Sequence, residues 1–469
     1  MSEFSKLSEV ADVIDSLHKT PKYADVGRPM VRCTDVKYGR LDLSKTFKVD
    51  DEVFAEFSRR YTPKHEDIII TRVGSYGITA IVDDTDFCLG QNTSVIVPKI
   101  NPRYLYLALN SPYVKNQIEF SVVGSTQKTL SLKAINNLDI PRFDSDIEDK
   151  IAEIIGDLDD KIELNRQTNQ TLEQIAQAIF KSWFVDFEPV KAKIAAKQNG
   201  QNPELAAMCA ISGKTEEQLK DLIKEADAHG SANVAGGTTL RATLQQLKTT
   251  AALFPDALVE SELGEIPEGW DVVSINEHID ILNGFAFKSK DYSGQGTFVL
   301  RTKNFNADRI VKRLNDDVFL PVEFLTSHKK FICEPYDYHL IMVGASIGNR
   351  GLIYPQLLPA LRNQNMWCFR SKSDSYIKQV FVKHVLDSIV ERSMGLASGS
   401  AREFFRKGDF GNQKICSGSI SIQKAFSDLV LPIMEQQSNL DSEQDNISEI
   451  RDALLPKLLS GELEINNAA

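Results

Sequence analysis

The most constraining feature of this sequence is an internal repeat held at a constant offset. Adding 275 to Gly124-Ser125-Thr126-Gln127 gives Gly399-Ser400-Ala401-Arg402. The same offset then pairs Ile147 with Ile422, Ile151 with Phe426, Ile155 with Val430, Leu158 with Ile433, Leu172 with Ile447, Ile179 with Leu454 and Trp183 with Leu458. Apolar phase kept for so long without a gap marks a duplication, so the fold must contain one unit twice. With small gaps the match continues upstream. Arg72-Val73-Gly74-Ser75-Tyr76-Gly77 answers to Val343-Gly344-Ala345-Ser346-Ile347-Gly348, Gln91-Asn92 to Gln364-Asn365, and Val31-Arg32 to Leu300-Arg301. Each unit reads as a mixed α/β domain of short strands, such as Ile68-Ile69-Ile70-Thr71 and Leu340-Ile341-Met342-Val343, followed by one long helix. At 469 residues, 42% hydrophobic and 25% charged, the chain has room for two to four domains of ordinary globular composition.

Within the first helix, positions 151, 155, 158, 162, 165, 169, 172, 176, 179 and 183 step by four and three, a heptad seam. Asn165 and Asn169 interrupt it, and Gln437 and Gln444 interrupt the second helix around Leu440. Polar residues at such positions set register at some cost in stability. Two duplicated units pack most simply about a pseudo-two-fold axis, which predicts an antiparallel helix pair with a globular domain at either end. About 38 residues at 1.5 Å each make a rod of roughly 55 Å. That length lies between one and two turns of B-DNA, at about 34 Å per turn.

The formal charge of -11 at first opposes a nucleic-acid partner, because phosphate contacts need cations. Its distribution removes the objection. Residues 144–163 hold nine acids against Lys150 and Lys161, and residues 435–452 hold six against Arg451, so the remaining chain is close to neutral. Six scattered cysteines without a CxxC pair predict reduced thiols, with no zinc site or disulfide framework. The polar start, Met1 to Lys6, lacks a signal-peptide pattern, and no stretch approaches the roughly 18 apolar residues of a membrane span, so a cytoplasmic location is expected. An adenine methyltransferase would need an aromatic-ended Pro-Pro loop to hold the flipped base, and no Pro-Pro occurs. Ser212-Gly213-Lys214-Thr215 imitates the end of a P-loop, but Met208 stands where the loop needs its first glycine. Glu148-Asp149-Lys150 imitates a nuclease element, yet reads better as a solvated acidic helix N-terminus favoured by the helix dipole. The expectation is a chain without an active site.

Four local signatures then carry a family resemblance: Leu158-Asp159-Asp160-Lys161-Ile162-Glu163-Leu164-Asn165, Gln174 to Phe187 (QIAQAIFKSWFVDF), Leu263-Gly264-Glu265-Ile266-Pro267-Glu268-Gly269-Trp270, and Leu455-Pro456-Lys457-Leu458-Leu459-Ser460-Gly461-Glu462-Leu463. With the duplication, the chain resembles the specificity (S) subunits of type I restriction-modification systems over nearly its whole length. The resemblance implies target recognition domains at 1–143 and 262–420, and conserved long helices at 144–187 and 421–463. A spacer insertion at 188–261, partly helical with one helix from Thr215 to Ala228 and mobile or peripheral, and a tail at 464–469 complete the expected organisation. The fold class is α+β, two similar α/β domains joined by antiparallel coiled-coil helices. Such a subunit is non-catalytic. It recognises a bipartite asymmetric site on double-stranded DNA and directs methyltransferase (M) and restriction (R) subunits, on which S-adenosylmethionine, ATP and Mg are expected. The chain itself is expected to bind no cofactor, metal or membrane. The alternative is a coiled-coil scaffold with two protein-binding domains, and a further one a nuclease with an unrecognised site.

Two domains that read different sequences should differ at their reading residues. By that logic the candidates are Thr126, Gln127 and Lys128 with Arg59, Arg60 and Lys64 in the first domain, and Arg402, Arg406 and Lys407 with Lys303, Asn304 and Arg350 in the second. The Gly-rich turns add Arg72, Ser75, Tyr76 and Ser346, since glycine lets backbone approach a phosphate; the same turns also suit a hairpin that the fold requires. The amides of Gln91-Asn92 and Gln364-Asn365 suit adenine, but their recurrence in both copies points to structure. Phe180, Trp183, Phe184 and Phe187 end the first helix, where they anchor a bundle or, in the sharper reading, dock a partner together with Leu458 and Leu459.

Overall fold

The computed structural model describes residues 3–123, 128–229, 235–305, 309, 311–344, 346–396 and 407–463. It divides into two compact units, residues 1–166 with 443–469, and residues 167–442. Each unit takes part of each long helix, Ser145–Phe184 and Ile420–Ser460.

In the first unit, strands β1 (Glu3–Lys6), β2 (Ala11–Asp15), β3 (Arg28–Val31), β4 (Phe47–Val49), β5 (Ile68–Thr71), β6 (Thr79–Ile81), β7 (Cys88–Leu89), β8 (Thr93–Pro98) and β9 (Asp139–Arg142) form three small sheets. Their orders are β2-β8-β5-β6, β4-β3-β7 and β1-β9. The Ile68-Ile69-Ile70 run makes a central strand because β-branched side chains fill both faces of a buried sheet. Period-two alternation sends Ile68 and Ile70 into one core, with Tyr104, Leu105 and Ile118, and Ile69 into another, with Val31, Phe87 and Val95. The first of these cores also holds Ile151, Ala152 and Ile155 of the first long helix and Leu458 and Leu459 of the second. Fully burying each such side chain contributes about 1.5–3 kcal/mol. Across the helix pair, Asp159 meets Arg451 at 2.8 Å and Asn165 meets Glu443 at 2.8 Å, so numbers rise on one helix as they fall on the other and the pair is antiparallel.

The second unit repeats this plan. After a hairpin of β10 (Leu258–Ser261) and β11 (Gly264–Pro267) come β12 (Val272–Ser274), β13 (Ile279–Asn283), β14 (Thr297–Leu300), β15 (Phe319–Leu320), β16 (Tyr338–Ile341), β17 (Arg350–Leu352), β18 (Ala360–Arg362), β19 (Met366–Ser371) and β20 (Lys414–Cys416). The orders β13-β19-β16-β17, β15-β14-β18 and β12-β20 match the first unit strand for strand. Even the parallel pair recurs, β3 with β7 and β14 with β18. The helices are again antiparallel. Trp183 lies 6.0 Å from Phe426, and Asn169 and Gln437 exchange side-chain to backbone hydrogen bonds of 3.4 and 3.3 Å. Ile155 and Val430, matched by the 275-residue offset, therefore occupy corresponding places in two separate cores.

Two expectations change. Residues 188–252 contain the expected helix, at Glu216–His229, but three more besides, Glu188–Gln198, Pro203–Ser212 and Ala235–Ala252. In chain order, the last three of the four share a small core of Ala207, Met208, Leu219 and Ala251, while Val190 of the first, and Phe254 just beyond the last, reach into the main core of the unit. Proline in the first turn and the Asn202 cap, whose side chain accepts from Leu205 N at 3.1 Å, were the available start signals. Phe180, Trp183, Phe184 and Phe187 are also not a docking patch. All four are buried against Phe426, Phe381, Phe254 and Trp270, and Leu458 and Leu459 are buried in the first unit's core. An aromatic run at a helix end reads as exposed only while the distant residues that cover it, Phe254, Trp270, Phe381 and Phe426, remain unplaced.

Candidate nucleic-acid interface

In the first unit the Gly-rich turn joins β5 to β6. Gly74 (φ 75°) and Gly77 (φ 72°) take left-handed backbone that other residues resist. Gly77 N donates to Thr71 O at 2.8 Å, and Gly74 N donates to Lys128 O at 3.3 Å, which joins the turn to the segment after residue 127. Ser75 is exposed. The Tyr76 hydroxyl donates to Glu119 Oε2 at 2.9 Å and accepts from Lys128 Nζ at 3.2 Å, so two candidates nominated separately are brought together. Lys128 and Glu119 remain largely exposed, and such a surface pair is worth little, leaving the ammonium available to another anion. Thr126 and Gln127 lie outside the described residues. Arg60 is exposed and donates to Ser16 O at 3.2 Å, beside the end of β2, while Arg59 and Lys64 are exposed. Lys64 precedes β5 and Tyr76 follows it, so the two lie beyond opposite ends of that strand.

Arg72 is a correction. Its guanidinium is enclosed, paired with Asp15 and bonded to Leu130 O at 3.1 Å. Burial works to raise the Asp15 carboxyl, but hydrogen bonds from Arg72 and His18 outweigh it and hold the group below its ordinary value. Arg72 thus pins the root of the turn, its enclosed guanidinium engaged by Asp15 and Leu130.

The second unit places Gly344 (φ 94°) and Gly348 (φ 85°) in the corresponding turn, one residue longer, with Gly348 N donating to Ile341 O at 3.0 Å. Ser346 is half-buried there. Arg350 is the second correction, being buried with Nε on Asp387 at 2.7 Å and a terminal nitrogen on Glu391 at 3.2 Å. It belongs to a network in which Asp387 also accepts from Tyr338 and faces Lys383 at 3.3 Å, while Lys383 pairs with Glu173 of the first long helix. Desolvation would raise the Asp387 carboxyl, yet Lys383 and Arg350 hold it at about 2. The network ties the exit of the turn to the helix pair.

Asn304 is a third correction. It is buried, donates to Lys312 O and Asp317, and its Oδ1 accepts from Arg301 N at 2.9 Å. Asp35 accepts from Arg32 N at 2.9 Å in the first copy, so this side chain caps a turn in both units. Lys303 is exposed and paired with Asp316, and Lys407 is exposed. Arg402 and Arg406 lie outside the described residues. Asn92 (φ 69°) and Asn365 (φ 72°) both sit left-handed, and their carbonyls accept from Arg72 N and Met342 N at 2.9 Å each. Asparagine tolerates that conformation, which gives the recurring Gln-Asn its structural reason.

The other motifs resolve locally. Glu148 is not solvated: it is buried, taking Arg142 Nε at 2.6 Å and Phe143 N at 3.1 Å at the start of the helix. Gly213 (φ 67°) ends one helix, and Thr215 caps the next through a 3.2 Å bond from Gln218 N, so the P-loop imitation is a helix connector. Among the described residues, one group brings possible metal ligands within 4.8 Å, the buried Asp337, His339 and Cys368. Asp337 is already engaged by Arg370, His339 Nδ1 faces Asp337 O at 3.2 Å, and burial lowers His339 to about 4, the neutral state of a core residue. No helix of the described residues is long and apolar enough to cross a membrane.

Residues 2–174 match the family described as Type I restriction modification DNA specificity domain. The chain is 30% identical over 403 residues to the Type I restriction enzyme HindI specificity subunit of Haemophilus influenzae, covering 81% of this chain and 82% of the relative. It is 23% identical over 419 residues to the MjaIX specificity subunit of Methanocaldococcus jannaschii, covering 89% and 82%. A solved S subunit of a type I restriction-modification system from M. genitalium has the same fold, with TM-score 0.51 and 14% identity over 99% of this chain and 97% of that one. Duplicated sheets, duplicated turns and a shared antiparallel helix pair thus coincide with these likenesses, and the chain belongs to the family of type I restriction enzyme specificity subunits.

Proposed function

We propose that this subunit reads a bipartite, asymmetric sequence in double-stranded DNA, one half through each unit, and delivers it to M and R subunits that carry the catalysis. The observation that supports the reading is divergence on a repeated frame. The same glycine turns, asparagine pivots and sheet orders recur. The polar side chains around them differ, with Tyr76 and Lys128 meeting at one turn and Ser346 on the other. A frame held fixed while its surface varies is what two different half-sequences require. S-adenosylmethionine, ATP and Mg belong on the partners in this scheme.

The test is to co-express the chain with the neighbouring methyltransferase gene and map methylated adenines across the genome. A two-part asymmetric motif is expected. Exchanging residues 1–143 for those of a related chain should alter one half only, and alteration of both halves would refute the modular assignment.

A further inference from the structure

We propose that Phe120 is an aromatic wedge that stacks on, or inserts between, bases of the half-site read by the first unit; the inference rests on the DNA reading above. Phe120 closes the helix Pro112–Ser121 and is 91% exposed, and Val123 just beyond it is 74% exposed. Phe120 is the most exposed large apolar side chain among the described residues, and apolar side chains that cluster on a surface mark contact sites. Its position is fixed by the recognition turn. A Cβ on Gly77 would stand 2.9 Å from Ile118 Cγ2, Tyr76 bonds the adjacent Glu119, and Val73 and Val123 both bridge to Thr129. Phe120 therefore stands bare at the helix end next to the turn, one residue beyond the Glu119 carboxylate that Tyr76 and Lys128 engage.

Two further observations favour a nucleobase over a protein as the occupant. Residues 111–138 carry Lys115, Lys128 and Lys133 against Glu119 alone, a basic stretch in a chain of net charge -11. The second unit has Val390-Glu391-Arg392-Ser393 where the first has Ile118-Glu119-Phe120-Ser121, so the fold does not require a phenylalanine there. The position diverges between the copies as a reading residue should. Wedges of this kind partly unstack a base step, and stacking on an aromatic ring strengthens binding without a hydrogen bond.

The test uses the full chain assembled with its methyltransferase subunit and duplexes carrying the mapped site, with 2-aminopurine placed in turn at each step of the first half. Wild type should raise the fluorescence at one step. Phe120→Ala should abolish that rise and weaken binding about tenfold, with the salt dependence unchanged because no phosphate contact is lost. Phe120→Trp should keep both. Because the side chain is bare, Phe120→Ala should melt as wild type does. Unchanged fluorescence and affinity in Phe120→Ala would overturn the wedge while DNA reading stands. Loss of methyltransferase assembly with DNA binding intact would overturn it also and make Phe120 a protein contact. A wild-type complex that fails to bind the duplex would sink both.

Discussion

Replacing Asp387 by Asn should weaken the second unit by an amount the structure allows us to work out. The carboxylate is buried, with Arg350 Nε at 2.7 Å, Tyr338 Oη at 3.0 Å and Lys383 Nζ at 3.3 Å. A fall from 3.8 to about 2 corresponds to about 2.5 kcal/mol of stability, at 1.36 kcal/mol per pH unit. The sign follows from the depressed carboxylate: the contribution is complete above pH 4 and is lost as pH falls through about 2. Breaking one partner of a buried pair costs about 3–5 kcal/mol, but Lys383 keeps Glu173 and Arg350 keeps Glu391, so a loss of about 2.5–4 kcal/mol is expected at pH 7. Trp183, Trp270 and Trp367 are the chain's three tryptophans and all lie in the second unit, so urea unfolding followed by tryptophan fluorescence reports that unit alone. With a slope of about 2.5 kcal/mol/M the midpoint should fall by about 1 M or more. A variant within about 0.5 kcal/mol of wild type, with the same acid profile between pH 4 and 2, would refute the stabilising role of the network.

Asn92→Ala and Asn365→Ala should each destabilise by about 1 kcal/mol through left-handed backbone strain, whereas glycine at either position should be tolerated; scanning calorimetry distinguishes them. Trp183→Ala should cost about 3–5 kcal/mol by opening a cavity beside Phe254 and Phe426. A Trp183→Ala chain that melts like wild type yet no longer binds the methyltransferase subunit would reinstate the docking role.

Much of the architecture was legible because periodicity survives duplication. The 275-residue offset located both long helices, and the triple isoleucine located a central strand in the first unit. Side-chain roles were less legible. Arg350 and Arg72 look like free cations in sequence, and only the fold supplies Asp387 and Asp15, which lie 37 and 57 residues away. Asn304 could have been recognised from its spacing of three after Arg301, mirrored by Asp35 after Arg32. Phe120 escaped because an isolated phenylalanine on a helix reads as core, and exposure is a property of the packed chain. Of the helices in 188–252, the one read from Thr215 to Ala228 stands at Glu216–His229, while Glu188–Gln198, Pro203–Ser212 and Ala235–Ala252 were missed although the first two begin with proline in the first turn and Pro203–Ser212 has an asparagine cap.

Each long helix contributes to both units, so the first unit's core joins Ile151 and Ile155 to Leu458 and Leu459, some 300 residues further along. Synthesis order and folding order therefore differ. While a ribosome is still making the second recognition domain, the first has its sheets but lacks the strip of leucines that seals Ile155. A nascent chain stalled before about residue 443 should expose that face to chaperones, whereas the second unit, contiguous from 167 to 442, can close on its own residues.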